Sequence, residues 1–111
     1  MTGVQTCALP ISSGPGSRIG SHCLFHAKSH VGAESTVGDF AQVGAGTIIN
    51  AGTTIEEDVF IGSGVTIISG ITIGKGARIG VGSVVVAPVK PGETVFGNPA
   101  QKIKEIGRAH V

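Results

Sequence analysis

Three histidines, His22, His26 and His30, recur at four-residue intervals, and Glu34 follows at the same spacing. An imidazole beside a carboxylate suits removal of a proton from a nucleophile, because the ring titrates near neutrality and the carboxylate orients it. Three imidazoles brought together would instead suit a divalent metal. On a helix this spacing would align the rings on one face. On a backbone with another period it disperses them, and they become ordinary surface side chains. Glu56-Glu57-Asp58 is a compact acidic run that reads as a solvent-facing turn. Lys90 and Lys102 flank a Pro/Gly-rich segment and could meet phosphate groups. Cys23 stands where small packing residues recur, which argues against a nucleophile. What each group can do depends on the elements that carry it.

Those elements follow a period of six. Stepping from Ile19 gives Phe25, Val31, Val37, Val43, Ile49, Ile55, Ile61, Ile67, Ile73, Ile79 and Val85, all apolar, with no insertion. Gly20, Gly32, Gly38, Gly44, Gly62, Gly74 and Gly80 follow ladder residues directly; Asn50 takes that place once and is expected to tolerate a left-handed backbone there. Two residues before the ladder sit Ser35, Ala41, Thr47, Val59, Val65 and Ala77. A helix needs a period near 3.6 and a half-buried strand a period of 2, so neither fits. A period of six fits a solenoid of triangular cross-section. Each hexad forms a short side with its Val or Ile inward, glycine suits the tight corners, and three hexads close a coil. The twelve rungs make four coils, stacked by parallel-sheet hydrogen bonds and sharing one core between neighbours. The pattern is expected to stop after Val85, where Pro88, Pro91 and Gly92 mark a loop, with Thr94-Val95-Phe96 as a short strand.

Composition agrees. The 111 residues include 19 Gly, four Phe, no Trp and no Tyr, so the apolar mass is β-branched rather than aromatic. A net charge of +1 without a basic run excludes a nucleic-acid surface. Glycines interrupt every apolar run before it reaches membrane-spanning length. Two cysteines make no disulfide framework, which favours the cytoplasm. Both ends break the repeat. The tail Glu105-Ile-Gly-Arg-Ala-His-Val can be back-translated so that its reverse complement encodes Thr6-Cys-Ala-Leu-Pro-Ile-Ser12. One short adapter-like DNA read from both strands would supply both ends, and the natural chain would then extend further at its N-terminus. The expected organisation is an adapter-derived segment at 1–11, solenoid at 12–86, a loop and capping segment at 87–104, and a second adapter-derived segment at 105–111. Cys7 and His110 then carry no function.

The run from Ile71 through Gly74-Lys-Gly-Ala-Arg-Ile-Gly to Val85, with Gly97-Asn98-Pro99-Ala100 beyond it, resembles the hexapeptide acyltransferases. Val37-Gly38-Asp39-Phe40, with Val59-Phe-Ile-Gly-Ser-Gly downstream, looks most like the sialic-acid O-acetyltransferase (NeuD-type) sugar O-acyltransferases. The resemblance spans about Ser17 to Lys104. It implies an all-β fold, a left-handed parallel β-helix, assembled as a homotrimer with acetyl-CoA between neighbouring solenoids and a sugar or nucleotide sugar as acceptor. It also implies a histidine base and backbone N–H groups at the developing oxyanion. Laid without gaps onto Val37-Gly38-Asp39, the family's base position falls on Ala33, followed by Glu34, and a second histidine position falls on Gln42. Ala33 cannot accept a proton, so His30, His26 and Glu34 are the candidate replacements. Cofactor contacts are expected from Ala51, Gly52, Ser69, Gly70, Gly82, Lys90, Gly97, Asn98, Pro99 and Lys102, and no metal site is assigned. The leading reading is acetyl transfer to a sugar in surface-polysaccharide synthesis. A catalytically degenerate trimeric scaffold is the alternative, favoured by Ala33 and Gln42. A metal-dependent lyase or hydratase on the same fold rests on the three histidines alone.

Overall fold

A computed structural model describes residues 12–103. The expectations for residues 1–11, Lys104 and 105–111 lie outside the described residues. Thirteen two-residue strands follow one another at six-residue intervals: β1 (Ser12–Ser13), β2 (Arg18–Ile19), β3 (Leu24–Phe25), β4 (His30–Val31), β5 (Thr36–Val37), β6 (Gln42–Val43), β7 (Ile48–Ile49), β8 (Thr54–Ile55), β9 (Phe60–Ile61), β10 (Thr66–Ile67), β11 (Thr72–Ile73), β12 (Arg78–Ile79) and β13 (Val84–Val85). They stack into three parallel sheets that form the faces of a prism. Face I is β1-β4-β7-β10-β13, face II is β2-β5-β8-β11, and face III runs from β3 through β6, β9 and β12. The register is fixed at eighteen residues per coil, as in His30↔Ile48, Thr36↔Thr54 and Gln42↔Phe60. The result is a left-handed parallel β-helix of about four coils, with no helix among the described residues. The usual right-handed crossover preference arises from strand twist. Two-residue strands accumulate little twist, so that preference has little hold here.

In each strand from β2 to β13 the second residue is buried and the first faces outward. The inward column holds Phe25, Val31, Val37, Val43, Ile49, Ile55, Ile61, Ile67, Ile73 and Ile79, all 1% exposed or less. A second buried column, two residues earlier, is polar in places, and each hydroxyl there finds a partner. Ser35 Oγ donates to Asn50 O (2.9 Å), Thr47 Oγ1 to Gly62 O (2.8 Å) and Thr53 Oγ1 to Asn50 O (2.8 Å). No buried side-chain polar atom among the described residues lacks a partner. The corner carbonyls are thereby satisfied from inside, which removes the desolvation cost of burying them.

Three sequence expectations need correction. The glycines directly after the ladder do not supply left-handed backbone; they allow close approach. A Cβ on Gly32 would lie 2.5 Å from the Ala51 nitrogen in the next coil. The left-handed angle falls two residues later, at Gly16, Gly46, Gly52, Gly64, Gly70, Gly76 and Gly82, and also at His22, Lys28, Glu34, Phe40 and Asp58. Asn50 is accordingly not left-handed; its Nδ2 donates to Ile67 O at 2.8 Å, which binds two coils together. Finally, the ladder does not end at Val85. It skips two residues and resumes, with Val89 bridging Ile73 on face II and Val95 in register with Ile79 on face III, each 5% exposed. Strand β14 (Thr94–Gly97) continues face III, and β15 (Ala100–Lys102) folds back antiparallel on it.

Candidate functional site

Each edge of the prism is a column of stacked four-residue corners. The edge between faces I and II stacks Gly32-Ala33-Glu34-Ser35, Asn50-Ala51-Gly52-Thr53 and Ile68-Ser69-Gly70-Ile71. Six of the sequence-predicted positions therefore meet on this one edge: Ala33, Glu34, Ala51, Gly52, Ser69 and Gly70. The third amide of each corner is committed to the coil below, with Glu34 N donating to Pro15 O (3.0 Å), Gly52 N to Ala33 O (2.9 Å) and Gly70 N to Ala51 O (3.2 Å). The second amide is not: the N–H groups of Ala33, Ala51 and Ser69 meet no acceptor among the described residues. On the edge between faces II and III, carboxylates close two amides of that kind and, at Lys90, the first amide of a corner. Ser21 N donates to Asp39 Oδ1 (2.8 Å), Lys75 N to Glu56 Oε1 (3.1 Å) and Lys90 N to Glu93 Oε1 (3.3 Å). The edge holding Ala33 thus keeps open donors on residues whose own side chains are no larger than a methyl or hydroxymethyl group. Preorganised donors of this sort stabilise a developing oxyanion without reorganising.

The other candidates lie elsewhere on the chain. His30 faces outward from face I in β4. His26 begins a corner between faces III and I and lines a shallow depression on face III with Gln42, Phe60, Ser63 and Val81. His22 sits between faces II and III with its ring stacked on Phe40, centroids 5.1 Å apart. The four-residue spacing thus disperses the three histidines, and no group of three metal-capable side chains occurs among the described residues. Gly82 is on the corner between faces III and I, Lys90 on that between faces II and III, and Gly97, Asn98 and Pro99 turn β14 into β15. Lys102 Nζ pairs with Glu93 Oε2 at 3.4 Å. Cys23 is fully buried with Sγ 3.2 Å from Gly38 O, and burial raises its thiol above the ordinary range, as befits packing. Glu56, Glu57 and Asp58 are exposed, as the sequence indicated.

Sequence reasoning missed the apolar wall around His26 and Gln42. Phe60 and Val81 are 41% and 66% exposed, and the ring of Phe96 lies over Gly80. The signal was available: the outward residue just before the ladder is usually polar, but at Leu24, Ile48, Phe60 and Val84 it is not.

Residues 17–51 match the hexapeptide repeat of succinyl-transferase, and residues 52–87 match the bacterial transferase hexapeptide of six repeats. The two matches run end to end and together span residues 17–87 of the solenoid. No curated protein matches the chain. Among solved structures it is similar to the hexapeptide-repeat containing acetyltransferase from Vibrio cholerae, with 26% identity, a TM-score of 0.80, and coverage of 91% of this chain and 70% of that one. It is also similar to the serine acetyltransferase of Vibrio cholerae (35%, TM-score 0.73, 78% and 38% covered). A GDP-perosamine N-acetyl transferase variant from Caulobacter crescentus, solved with CoA and GDP-perosamine, shares the fold at 23% identity and TM-score 0.71. That match covers 93% of this chain and 58% of that protein.

Proposed function

We propose that the chain is an acyltransferase that moves an acetyl group from acetyl-CoA to a sugar or nucleotide sugar, working as a homotrimer. The observation that carries this reading is the open pair of backbone donors at Ala51 and Ser69, beside Ala33 and Glu34. In the proposed reaction the thioester carbonyl lies against the Ala51 N–H, which stabilises the charge that develops as the acceptor attacks. A second, separate half of the site is the depression with His26 and Gln42 on face III. One triangular chain cannot turn an edge and the face opposite it toward the same ligand. A neighbouring copy presenting its face III to the edge that holds Ala33 would complete the site, and would explain Phe60 and Val81 as interface residues. The solved relatives named for acetyl transfer support the reaction class, and the one bound to GDP-perosamine supports a nucleotide-sugar acceptor. The finer kinship with sialic-acid O-acetyltransferases rests on Val37-Gly38-Asp39-Phe40 and on Val59-Phe-Ile-Gly-Ser-Gly downstream.

Ala33 favours one competing reading, a scaffold that has kept the fold and lost the chemistry. Calorimetric titration of the full chain with acetyl-CoA, after sedimentation establishes its assembly state, separates the two. Micromolar binding to a trimer is the expected result. A well-folded trimer that does not bind acetyl-CoA would sink the acyltransferase reading and leave the scaffold.

A further inference from the structure

The peptide that carries the Ala51 N–H is held from inside the prism in a way that its neighbours on the same edge are not. Elsewhere the N–H of a corner's fourth residue closes a long turn bond to the carbonyl of the first, as from Ser17 to Gly14, Ser35 to Gly32 and Thr47 to Gly44, each at 3.3 Å. At the corner Asn50-Ala51-Gly52-Thr53, hydroxyls take over that bond. Thr53 N donates to Ser35 Oγ (3.2 Å), Ser35 Oγ donates to Asn50 O (2.9 Å), and Thr53 Oγ1 donates to the same oxygen (2.8 Å). Both side chains are fully buried. The other open donors lack this support. Gly32 O, in the peptide of the Ala33 N–H, accepts the Ser35 N–H at 3.3 Å. Ile68 O, in the peptide of the Ser69 N–H, lies 3.2 Å from Thr53 Oγ1, whose single hydrogen serves the nearer Asn50 O. Closing a corner does not by itself require hydroxyls, since Ala41, Val59 and Ala77 fill the same place on the edge between faces II and III.

We infer that Ser35 and Thr53 are positioning residues for acyl transfer, which hold the Asn50–Ala51 peptide and strengthen its N–H as the oxyanion donor. The inference deepens the acyltransferase reading and rests on it. A trans peptide is planar, and its C=O and N–H point opposite ways. Two hydroxyls on the inner oxygen therefore leave the N–H directed outward, and the bond from Asn50 Nδ2 to Ile67 O (2.8 Å) resists rotation of the unit. Hydrogen bonds in series polarise one another. Density drawn onto Asn50 O leaves the amide nitrogen more positive, so the Ala51 N–H donates more strongly than an amide whose carbonyl has a weaker partner. As charge gathers on the thioester oxygen, it is stabilised through the peptide by two buried hydroxyls that need not reorient. Neither side chain touches the substrate; each acts through one backbone unit. The same geometry assigns the oxyanion to Ala51 rather than to Ala33 or Ser69.

The test uses the full chain and reads the peptide and the ligand separately. Base-catalysed exchange of an exposed amide proton passes through an imidate whose charge lies on the carbonyl oxygen, so hydroxyls at Asn50 O speed exchange at Ala51. Followed by NMR, Ser35→Ala and Thr53→Val should each slow exchange at Ala51 by about tenfold, the scale of one hydrogen bond to a charged group, and leave Ala33 unchanged. Thr53→Ser, which keeps the hydroxyl, should hold the parent's rate. Mere loosening of the corner would act the other way and speed exchange at neighbouring amides. If neither variant folds, the parent decides: corrected for sequence, Ala51 should exchange faster than Ser69. The ligand is read by infrared spectroscopy of acetyl-CoA isotope-labelled at the thioester carbonyl. Its bound band is expected below that of free acetyl-CoA, and to return part of the way in Ser35→Ala and Thr53→Val. Exchange at Ala51 that is unchanged or faster in the folded variants, a parent Ala51 no faster than Ser69, or a bound band that the variants leave in place would each overturn the inference. Failure of the parent to bind acetyl-CoA at all sinks the acyltransferase reading instead.

Discussion

At the scale of single residues, the corner positions divide into two kinds of demand, and each gives a prediction of opposite sign. Glu34 holds a left-handed backbone that costs a non-glycine residue roughly 1–2 kcal/mol. Glycine would remove that strain and return about 0.5–1 kcal/mol through the greater entropy of the unfolded chain. Glu34→Gly should therefore stabilise the protein by up to about 1 kcal/mol, seen as a higher denaturation midpoint. Gly32 presents the other demand, since a Cβ there would lie 2.5 Å from the Ala51 nitrogen. The obstacle is backbone, which cannot swing aside. Gly32→Ala should cost about 1–3 kcal/mol, the range of overpacked cores, and denaturant titration would measure it. A loss below about 0.5 kcal/mol would mean that adjacent coils separate more easily than the stacking implies. The buried thiol of Cys23 adds a kinetic readout. In a Cys7→Ser variant it should resist a thiol reagent until the coils open, because burial keeps it protonated.

At the scale of the element, what the sequence revealed and what it hid have one cause. Every rung from Ile19 to Val85 was legible, because inward burial makes the same demand at each sixth residue. Val89 and Val95 make that demand too, but a two-residue contraction puts them out of phase with a strict count of six. The second ladder keeps the same spacing but not one residue type: Gly16, Gly46, Gly52, Gly64, Gly70, Gly76 and Gly82 share it with His22, Lys28, Glu34, Phe40 and Asp58. The grouping of Ala33, Ala51 and Ser69 on one edge follows directly from eighteen-residue periodicity. The depression around His26 did not, since its walls come from side-chain bulk at Phe60 and Val81 rather than from period. Because neighbouring coils share one core, truncation of a central rung such as Ile61→Ala should cost about 2–5 kcal/mol, most of it felt by the coils above and below.

At the scale of the whole molecule, the exterior of the prism is segregated. Asp39, Glu56, Glu57, Asp58, Lys75, Lys90 and Glu93 all lie on the edge between faces II and III. On the edge between faces III and I, the upper three corners read Gly44-Ala45-Gly46-Thr47, Gly62-Ser63-Gly64-Val65 and Gly80-Val81-Gly82-Ser83, without a charge. Ile48 and Phe60 flank them, 42% and 41% exposed, and Val81 is 66% exposed. Exposed apolar residues gathered beside small ones mark a surface suited to protein contact. If neighbouring copies meet here, a charge at Val81 should prevent assembly without disturbing any single coil, because the side chain already points into solvent. Val81→Glu is therefore expected to sediment as a monomer with unchanged thermal stability at low protein concentration. It should also lose acetyl-CoA binding by about a hundredfold or more, since half of a composite site would be missing. The edge holding Ala33, Glu34, Ala51 and Ser69 remains intact in each such monomer. If a monomeric Val81→Glu protein bound acetyl-CoA as tightly as the parent, that edge would be sufficient alone, and the role assigned to a neighbour's His26 and Gln42 would have to be abandoned.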